Sequence, residues 1–257
     1  MSDKKSRNKR LQAGDDLIWG VHTVTETLER APRTLTEIIV AKGRGGAKLQ
    51  AVIDLARVAG VRVRFVDGLE IDGPGRINHQ GLAARVQPAE TLDEGALLER
   101  IRDIDVPPFV LALDCIQDPH NLGAILRSAA AAGVHGVVLT RDRSAPLSGT
   151  VAKIAAGALA HLDVCTVTNL ATFLGQLKEA GLWIYGTVKD DGQSIHDTDL
   201  GGGVCLVIGN EEKGLRPLVR KSCDFAVTIP MPGALDSLNA SVAAGIALFE
   251  VVRQRRD

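Results

Sequence analysis

Ile229-Pro-Met-Pro-Gly-Ala-Leu-Asp-Ser-Leu-Asn-Ala-Ser-Val-Ala-Ala-Gly-Ile-Ala-Leu-Phe-Glu250 carries the chain from a strand end, through a loop, into a helix. The strand reads as Phe225–Met231, with apolar Phe225, Ala226, Val227 and Ile229, and it is closed by Pro230, Pro232 and Gly233. Asp236, Ser237 and Asn239 are short polar residues at a helix start, able to cap exposed backbone N–H groups. Ser237–Arg253 then has helical spacing, with Leu238, Val242, Gly245, Phe249 and Val252 on one stripe. Small Ala240, Ala243, Ala244 and Ala247 lie beside it and let another backbone approach closely. A polar loop ahead of such a helix can hold a ligand or a partner subunit. Taken alone, it is equally an ordinary capped C-terminal helix.

Working back from this stretch, strands and helices alternate. Phe109–Ile116 is almost continuously apolar, as a strand covered on both faces should be. Asn121–Ala132 follows as a helix, Gly136–Thr140 as a strand and Leu147–Leu159 as a helix. Val164–Val167, Leu182–Val188 and Val204–Gly209 are further strands, with helices over Leu170–Ala180 and Leu215–Lys221. The alternation predicts an α/β domain with a parallel sheet and helices on both sides, where ligands gather at the carboxyl ends of the strands.

Three polar segments fall at those ends. In Asp114-Cys-Ile-Gln-Asp-Pro-His-Asn-Leu-Gly-Ala-Ile-Leu-Arg127, Asp118-Pro119 ends the strand and Asn121 can cap the helix. Gly123 allows close approach, and Arg127 lies four residues on, placed to grip a phosphate or sugar–phosphate, though on this segment alone a surface Arg paired with a neighbouring carboxylate is the simpler reading. In Val207-Ile-Gly-Asn-Glu-Glu-Lys-Gly-Leu-Arg-Pro217 the glycines have P-loop spacing, but Leu215-Arg216 replaces the required Lys-Ser/Thr and excludes a nucleoside triphosphatase. Asn210 and Glu211 sit just past a strand end, where a carboxylate can accept from a sugar or amino group. The third segment is the opening stretch.

The N-terminal part has a different character. Residues 1–87 hold 15 Lys/Arg against 10 Asp/Glu, and residues 88–257 hold 15 against 21; the nets of +5 and −6 sum to the overall −1. A basic first part suggests contact with a polyanion. Lys4, Lys5, Arg7, Lys9 and Arg10 form a basic tail, read as flexible through residue 14. Residues 15–87 read as a small β/α domain. It has strands at Leu17–Gly20, Ile38–Ala41, Val61–Val66 and Gly81–Val86, helices at Val21–Arg30 and Leu49–Ala59, and a turn at Gly43–Gly46. In Val61–Val66, apolar Val61, Val63 and Phe65 alternate with Arg62 and Arg64 to give one basic face. Pro88–Pro108 is charged and bounded by prolines, and its residues 88–106 read as a linker carrying a short helix through Leu97, Leu98 and Ile101. The four cysteines are widely spaced within apolar runs and read as buried thiols. The six histidines form no metal-binding pattern, so no metal is expected. No apolar run reaches membrane-spanning length and no secretory signal is evident, so a cytoplasmic protein is expected.

Together, the three segments resemble the motifs of the SpoU family of RNA ribose 2′-O-methyltransferases, within the SPOUT superfamily. The resemblance covers nearly the whole chain. Gly20-Val-His-Thr-Val24, Val63-Arg-Phe-Val66 and His79-Gln-Gly-Leu-Ala-Ala84 are similar to that family's N-terminal substrate-binding domain, itself similar to small ribosomal RNA-binding proteins. The layout is closest to the branch acting on guanosine of bacterial 23S rRNA. The family likeness implies a deep trefoil knot in the C-terminal domain, spanning residues 107–257, with S-adenosylmethionine as methyl donor, RNA as substrate, and a homodimer across which the active site is completed. Carried over by motif, Asn121, Arg127, Glu211, Ser237 and Asn239 form the catalytic set. Thr187, Gly209, Ile229, Met231 and Leu238 hold the cofactor, largely through backbone groups at Gly209, Ile229 and Leu238. Arg127 is the family's suggested proton acceptor. A guanidinium stays protonated in proteins, so positioning a phosphate or stabilising an alkoxide is the role its chemistry favours. Glu212 and Ala240 stand where the family has glycine and valine, and neither change removes a functional group. Alternatives within this fold are a tRNA ribose 2′-O-methyltransferase and a catalytically silent RNA-binding assembly factor. A Rossmann-type dehydrogenase is disfavoured because no G-x-G-x-x-G follows a strand.

Overall fold

The computed structural model describes residues 9–12, 16–30, 32–43, 46–72, 77–86, 91–234 and 237–256. The first eight residues of the basic tail, Arg44 and Gly45 of the Gly43–Gly46 turn, the Pro88–Glu90 start of the linker and the capping role of Asp236 lie outside them. The chain divides into two compact units, Met1–Ala89 with Leu147–Gly157, and Glu90–Pro146 with Ala158–Asp257.

The first unit contains β1 (Lys9–Gln12), β2 (Leu17–Trp19), α1 (Val21–Arg30), β3 (Leu35–Ala41), α2 (Ala47–Val58), β4 (Arg62–Val66), β5 (Leu69–Asp72) and β6 (Leu82–Val86). Four of these strands form a sheet in the order β2-β6-β3-β4. Alternation along β3 explains how both faces are covered. Ile38 and Val40 pack with Val24 and Leu28 of α1 and Val52, Ile53 and Ala56 of α2. Ile39 and Ala41 meet Leu11 and Leu69, from a parallel ribbon of β1 and β5. That ribbon corrects the expectation of a structureless tail through residue 14. Lys9–Gln12 is a strand, buried through Leu11, with Arg10 paired to Asp72 at 3.0 Å. One apolar residue in four, with a partner some 60 residues away, leaves no local periodic signal. β4 also departs from the expected alternation, because Phe65 is 48% exposed while Val66 is buried beside Ala41.

The second unit begins with α3 (Glu94–Arg102), which is core rather than linker. Leu97 and Ile101 are fully buried against Phe173, Leu174 and Leu177, and Leu92 donates its N–H to Val164 at 2.7 Å. Gly136 makes room for α3, since a Cβ there would lie 2.9 Å from Leu97. The chain continues through β7 (Phe109–Leu113), α4 (Pro119–Ala131), β8 (Gly136–Thr140), α5 (Gly149–Ala155, grouped with the first unit), β9 (Asp163–Val167), α6 (Leu170–Glu179) and β10 (Trp183–Thr187). It ends with β11 (Gln193–Ser194), β12 (Val204–Ile208), α7 (Pro217–Ser222), β13 (Phe225–Thr228) and α8 (Ala240–Gln254). The helix expected over Leu147–Leu159 stops earlier, at Ala156, whose φ of +48° is left-handed.

All seven strands of the second unit's sheet are parallel, in the order β11-β13-β10-β12-β7-β8-β9. The central strands β7 and β12 are buried at every residue, as the apolar runs predict. Val110 and Ala112 of β7 pack towards α3 and α6, whereas α4 and α8 pack on one another. The Arg255 guanidinium, just past α8, lies 5.1 Å above the Phe109 ring. Because β12 inserts between β10 and β7 while β13 lies outside β10, the loops after β7, β10, β12 and β13 converge on one rim.

Three local expectations change at that rim. β13 ends at Thr228, before the prolines, so Ile229 and Met231 are loop residues. Asp118 caps α4 by accepting from the His120 amide at 2.9 Å, which frees Asn121 from that role. α8 starts at Ala240 and buries Ala244, Ala247, Leu248 and Val251. The expected apolar stripe is therefore the outer one, with Val242 49% and Phe249 47% exposed. No helix among the described residues is long and apolar enough to cross a membrane.

Candidate active site

The loop after β12 turns on Gly209. A Cβ there would sit 2.6 Å from the Leu215 amide nitrogen, so only glycine lets Gly209 and Leu215 run side by side. Asn210 and Gly214 exchange backbone hydrogen bonds at 3.2 and 2.8 Å, closing a tight loop with Gly214 at φ +62°. The Asn210 side-chain oxygen accepts from the Glu212 and Lys213 amides at 3.1 and 3.2 Å. The loop's own polar groups thus satisfy one another, and Glu211 is held out at its tip.

Glu211 is the centre of a polar chain. Asn121, in the first turn of α4 and buried, donates its Nδ2 to Glu211 Oε1. Asn239 Nδ2 donates to Asn121 Oδ1 at 2.9 Å, while Asn239 Oδ1 caps α8 by accepting from the Ser241 amide at 2.9 Å. Asn210 Nδ2 donates to Glu211 Oε2 at 3.4 Å and to the Cys115 carbonyl at 3.2 Å. Amide donors from two segments therefore fix the plane of one half-buried carboxylate and leave it lone pairs for a hydroxyl or amine. Next to Glu211 opens a cleft of about 420 Å³, within the range of small-molecule sites. Thr187, Gly209, Ile229, Met231 and Leu238 all line it, with Glu211 and Ser237 at the same cleft. Thr187 is oriented by donating its hydroxyl to the Val207 carbonyl at 3.1 Å.

The structure thus brings Asn121, Glu211 and Asn239 into one hydrogen-bonded chain and puts Ser237 and the five positions expected to hold the cofactor around one cleft. Arg127 stands apart. It lies six residues beyond Asn121, ~9 Å along the helix axis, and is exposed. Among the described residues it forms no side-chain hydrogen bond or ion pair. Its neighbour Ser128 faces Gly245 of α8, at 4.0 Å from where a Cβ would stand. The sequence places Asn210 beside Glu211 just past a strand end but outside the expected catalytic set, whereas in the structure it shapes the Glu211 loop. Its self-satisfying bonds exist only once the loop has closed. Cys115, Cys165 and Cys223 carry thiols pushed above their ordinary range by burial, as expected of structural cysteines.

Comparison with known proteins gives two family matches. The SpoU rRNA Methylase family model matches residues 108–249, and the model for RNA 2′-O ribose methyltransferase substrate binding matches residues 17–92. The chain is 43% identical over 242 residues to the 23S rRNA (guanosine-2′-O-)-methyltransferase RlmB of Escherichia coli K12, covering 93% of this chain and 99% of that protein. Among solved structures, the SpoU methyltransferase AviRb from Streptomyces viridochromogenes, in complex with AdoMet, superposes with a TM-score of 0.71 at 25% identity, covering 93% of this chain and 90% of AviRb. A TrmH/SpoU tRNA modifying enzyme from A. aeolicus has a TM-score of 0.54 at 29% identity, and covers 63% of this chain and 82% of its own.

Proposed function

This chain belongs to the SpoU rRNA methylase family, and on that footing we propose that it methylates the ribose 2′-hydroxyl of a guanosine in 23S rRNA, with S-adenosylmethionine as donor. The observation that carries the reading is the meeting of Asn121, Glu211 and Asn239 beside a cleft lined by all five positions assigned to the cofactor. The cleft fits the donor chemically. Ile229, Met231 and Leu238 offer apolar surface for a flat base, and Gly209 exposes backbone. The bound cofactor supplies an already activated methyl group. The protein's share is to orient the ribose and stabilise charge on its oxygen. Glu211, aimed by Asn121 and Asn210, receives a hydroxyl or amino group of the incoming nucleoside. Ser237 stands at the cleft wall and Asn239 braces Asn121. Arg127 grips the neighbouring phosphate or the developing alkoxide.

Three finer features accompany this reading. A homodimer places a second copy over the exposed Val242 and Phe249 of α8. A deep knot agrees with β12 and β13 flanking β10 and with α8 returning to α4. Residues 15–87 serve as the RNA-binding domain and residues 107–257 as the methyltransferase domain, in the cytoplasm. An rRNA substrate is favoured over tRNA because the E. coli rRNA enzyme matches both parts of the chain, whereas the A. aeolicus tRNA enzyme covers 63% of it. The test is transfer of labelled methyl from S-adenosylmethionine to separately purified 23S rRNA and tRNA, with the modified ribose mapped by resistance to alkaline cleavage. Labelling of rRNA at a guanosine is expected; labelling of tRNA alone would overturn the substrate assignment.

A further inference from the structure

Glu211 and one wall of the donor cleft ride on a segment, residues 209–216, that has no helix or strand of its own. Asn121 rides on a different segment, reached from the end of β7 through residues 114–118. Their contact therefore depends on whatever locks one segment to the other. The lock is a buried carboxylate. Asp114 is wholly inaccessible to solvent. Its Oδ2 accepts from the Arg216 backbone amide at 2.8 Å, and its Oδ1 accepts from Arg216 Nε at 2.7 Å. Its own amide donates to the Ile208 carbonyl at 2.8 Å, at the foot of the loop. The next residue, Cys115, takes a left-handed φ of +63° and presents the carbonyl that receives Asn210. The loop is thus tied at its start through Asn210 and at its end through Arg216, both ties running to the Asp114-Cys115 pair.

Stability alone gives a poor account of this arrangement. Burying a carboxylate costs desolvation that its attraction to a partner only partly offsets, and apolar residues often serve stability as well or better. The pair does supply direction, since the two carboxylate oxygens here fix both the backbone and the side chain of one residue. We propose that Asp114 and Arg216 are positioning residues for methyl transfer: their pair sets the 209–216 segment against the end of β7, and so holds the donor cleft's wall in place and Glu211 against Asn121. This rests on the methyltransferase reading of the cleft, which assigns neither residue a part.

Asp114→Asn removes the charge without leaving another buried, and turns an amide N–H towards the Arg216 donor. Arg216→Lys keeps a cation but loses the Nε geometry. Each variant is measured for S-adenosylmethionine affinity by calorimetry, for KM and kcat in methyl transfer to 23S rRNA, for RNA affinity and for thermal midpoint. The expected result for Asp114→Asn is a rise of about tenfold or more in KM and Kd for the donor, as for a modest misplacement of a binding wall. Its RNA affinity stays unchanged, and Arg216→Lys falls between it and the wild type. Donor KM and Kd at wild-type level in the variants, with only the thermal midpoint lowered, would reduce the pair to a structural bolt and overturn the proposal. If Asp114→Asn does not fold, Arg216→Lys and Arg216→Gln, at a side chain 38% exposed, decide it by the same donor measurements. Failure of the wild type to bind the donor counts against the function itself, whereas a binding wild type with unaffected variants counts against the positioning role alone.

Discussion

Arg127 owes its proposed role to its side-chain chemistry, not to any contact it makes within the chain. It is exposed on α4, its charge is permanent, and among the described residues no carboxylate neutralises it. Removing such a group from a reacting site costs ~100-fold or more in rate, while a surface substitution leaves stability within ~0.5 kcal/mol. Arg127→Ala should therefore lose methyl transfer in single-turnover assays at an unchanged thermal midpoint. Full activity would remove Arg127 from the site. Gly209 is the opposite case, since its role is legible from packing alone. In Gly209→Ala, the added carbon meets the backbone of Gly214 and Leu215, which cannot swing aside as a flexible side chain could. Overpacking of this kind costs ~1–3 kcal/mol, and S-adenosylmethionine binding should be lost with it. Calorimetry showing wild-type donor affinity in this variant would mean that the loop does not wall the cleft.

Among the elements, α8 joins the two sides of the problem. Its inner stripe of small residues and Leu248 seats it on α4, and its Asn239 cap reaches Asn121. The outer stripe leaves Val242 and Phe249 to solvent. If a second copy covers that stripe, Phe249→Glu should convert the protein to monomer, as light scattering would register, and should cut activity without unfolding it. A variant that stays dimeric would place the interface elsewhere. The far end of α8 depends on Glu250, 5% exposed, which accepts from Arg253 at 2.8 Å and from Gln254 at 2.8 Å and lies 3.1 Å from His196. The Arg253 hydrogen bonds, more than the others, hold its carboxyl at about 2, below the usual 4.5. A depressed carboxylate contributes stability that is complete above its ordinary pKa and lost as pH falls through the folded one. The thermal midpoint of Glu250→Gln should thus lie below wild type at neutral pH, with the gap closing as pH falls from about 4.5 towards 2. A gap independent of pH would assign the loss to packing instead.

For the whole molecule the leading quantity is charge. A net of +5 over residues 1–87 against −6 over the remainder keeps the formal total near zero while giving RNA a basic part to meet. Counterion release makes such binding salt-dependent: about three phosphate contacts on single-stranded RNA imply ~10- to 20-fold weaker affinity between ~50 and ~200 mM salt. Filter binding of 23S rRNA fragments across that range should show the slope, whereas donor affinity, resting on the proposed backbone and apolar contacts, should hardly move. An RNA affinity flat with salt would argue against phosphate-led recognition. Aromatics offer little alternative, since the whole chain has eight and Phe65 is the one exposed large aromatic among the described residues of the first unit.

The sequence by itself determined the second unit's architecture, because the buried strands of a parallel sheet are apolar at every position and helices between them keep a 3.6-residue period. It also placed Asn121, Glu211 and Asn239 in the polar segments that come after apolar runs. What it left open depended on contacts between distant segments. Lys9–Gln12 is a strand only because β5 lies beside it, and α3 is core only because Gly136 leaves space for Leu97. The outer face of α8 looks in sequence like the inner one, for periodicity gives a stripe's spacing without saying which stripe is covered. Only the tertiary structure decided that small residues go inward, that Asn121 turns to Glu211 instead of capping α4, and that Asp114 grips Arg216 across 102 residues, because a hydrogen bond needs both partners in place before it exists.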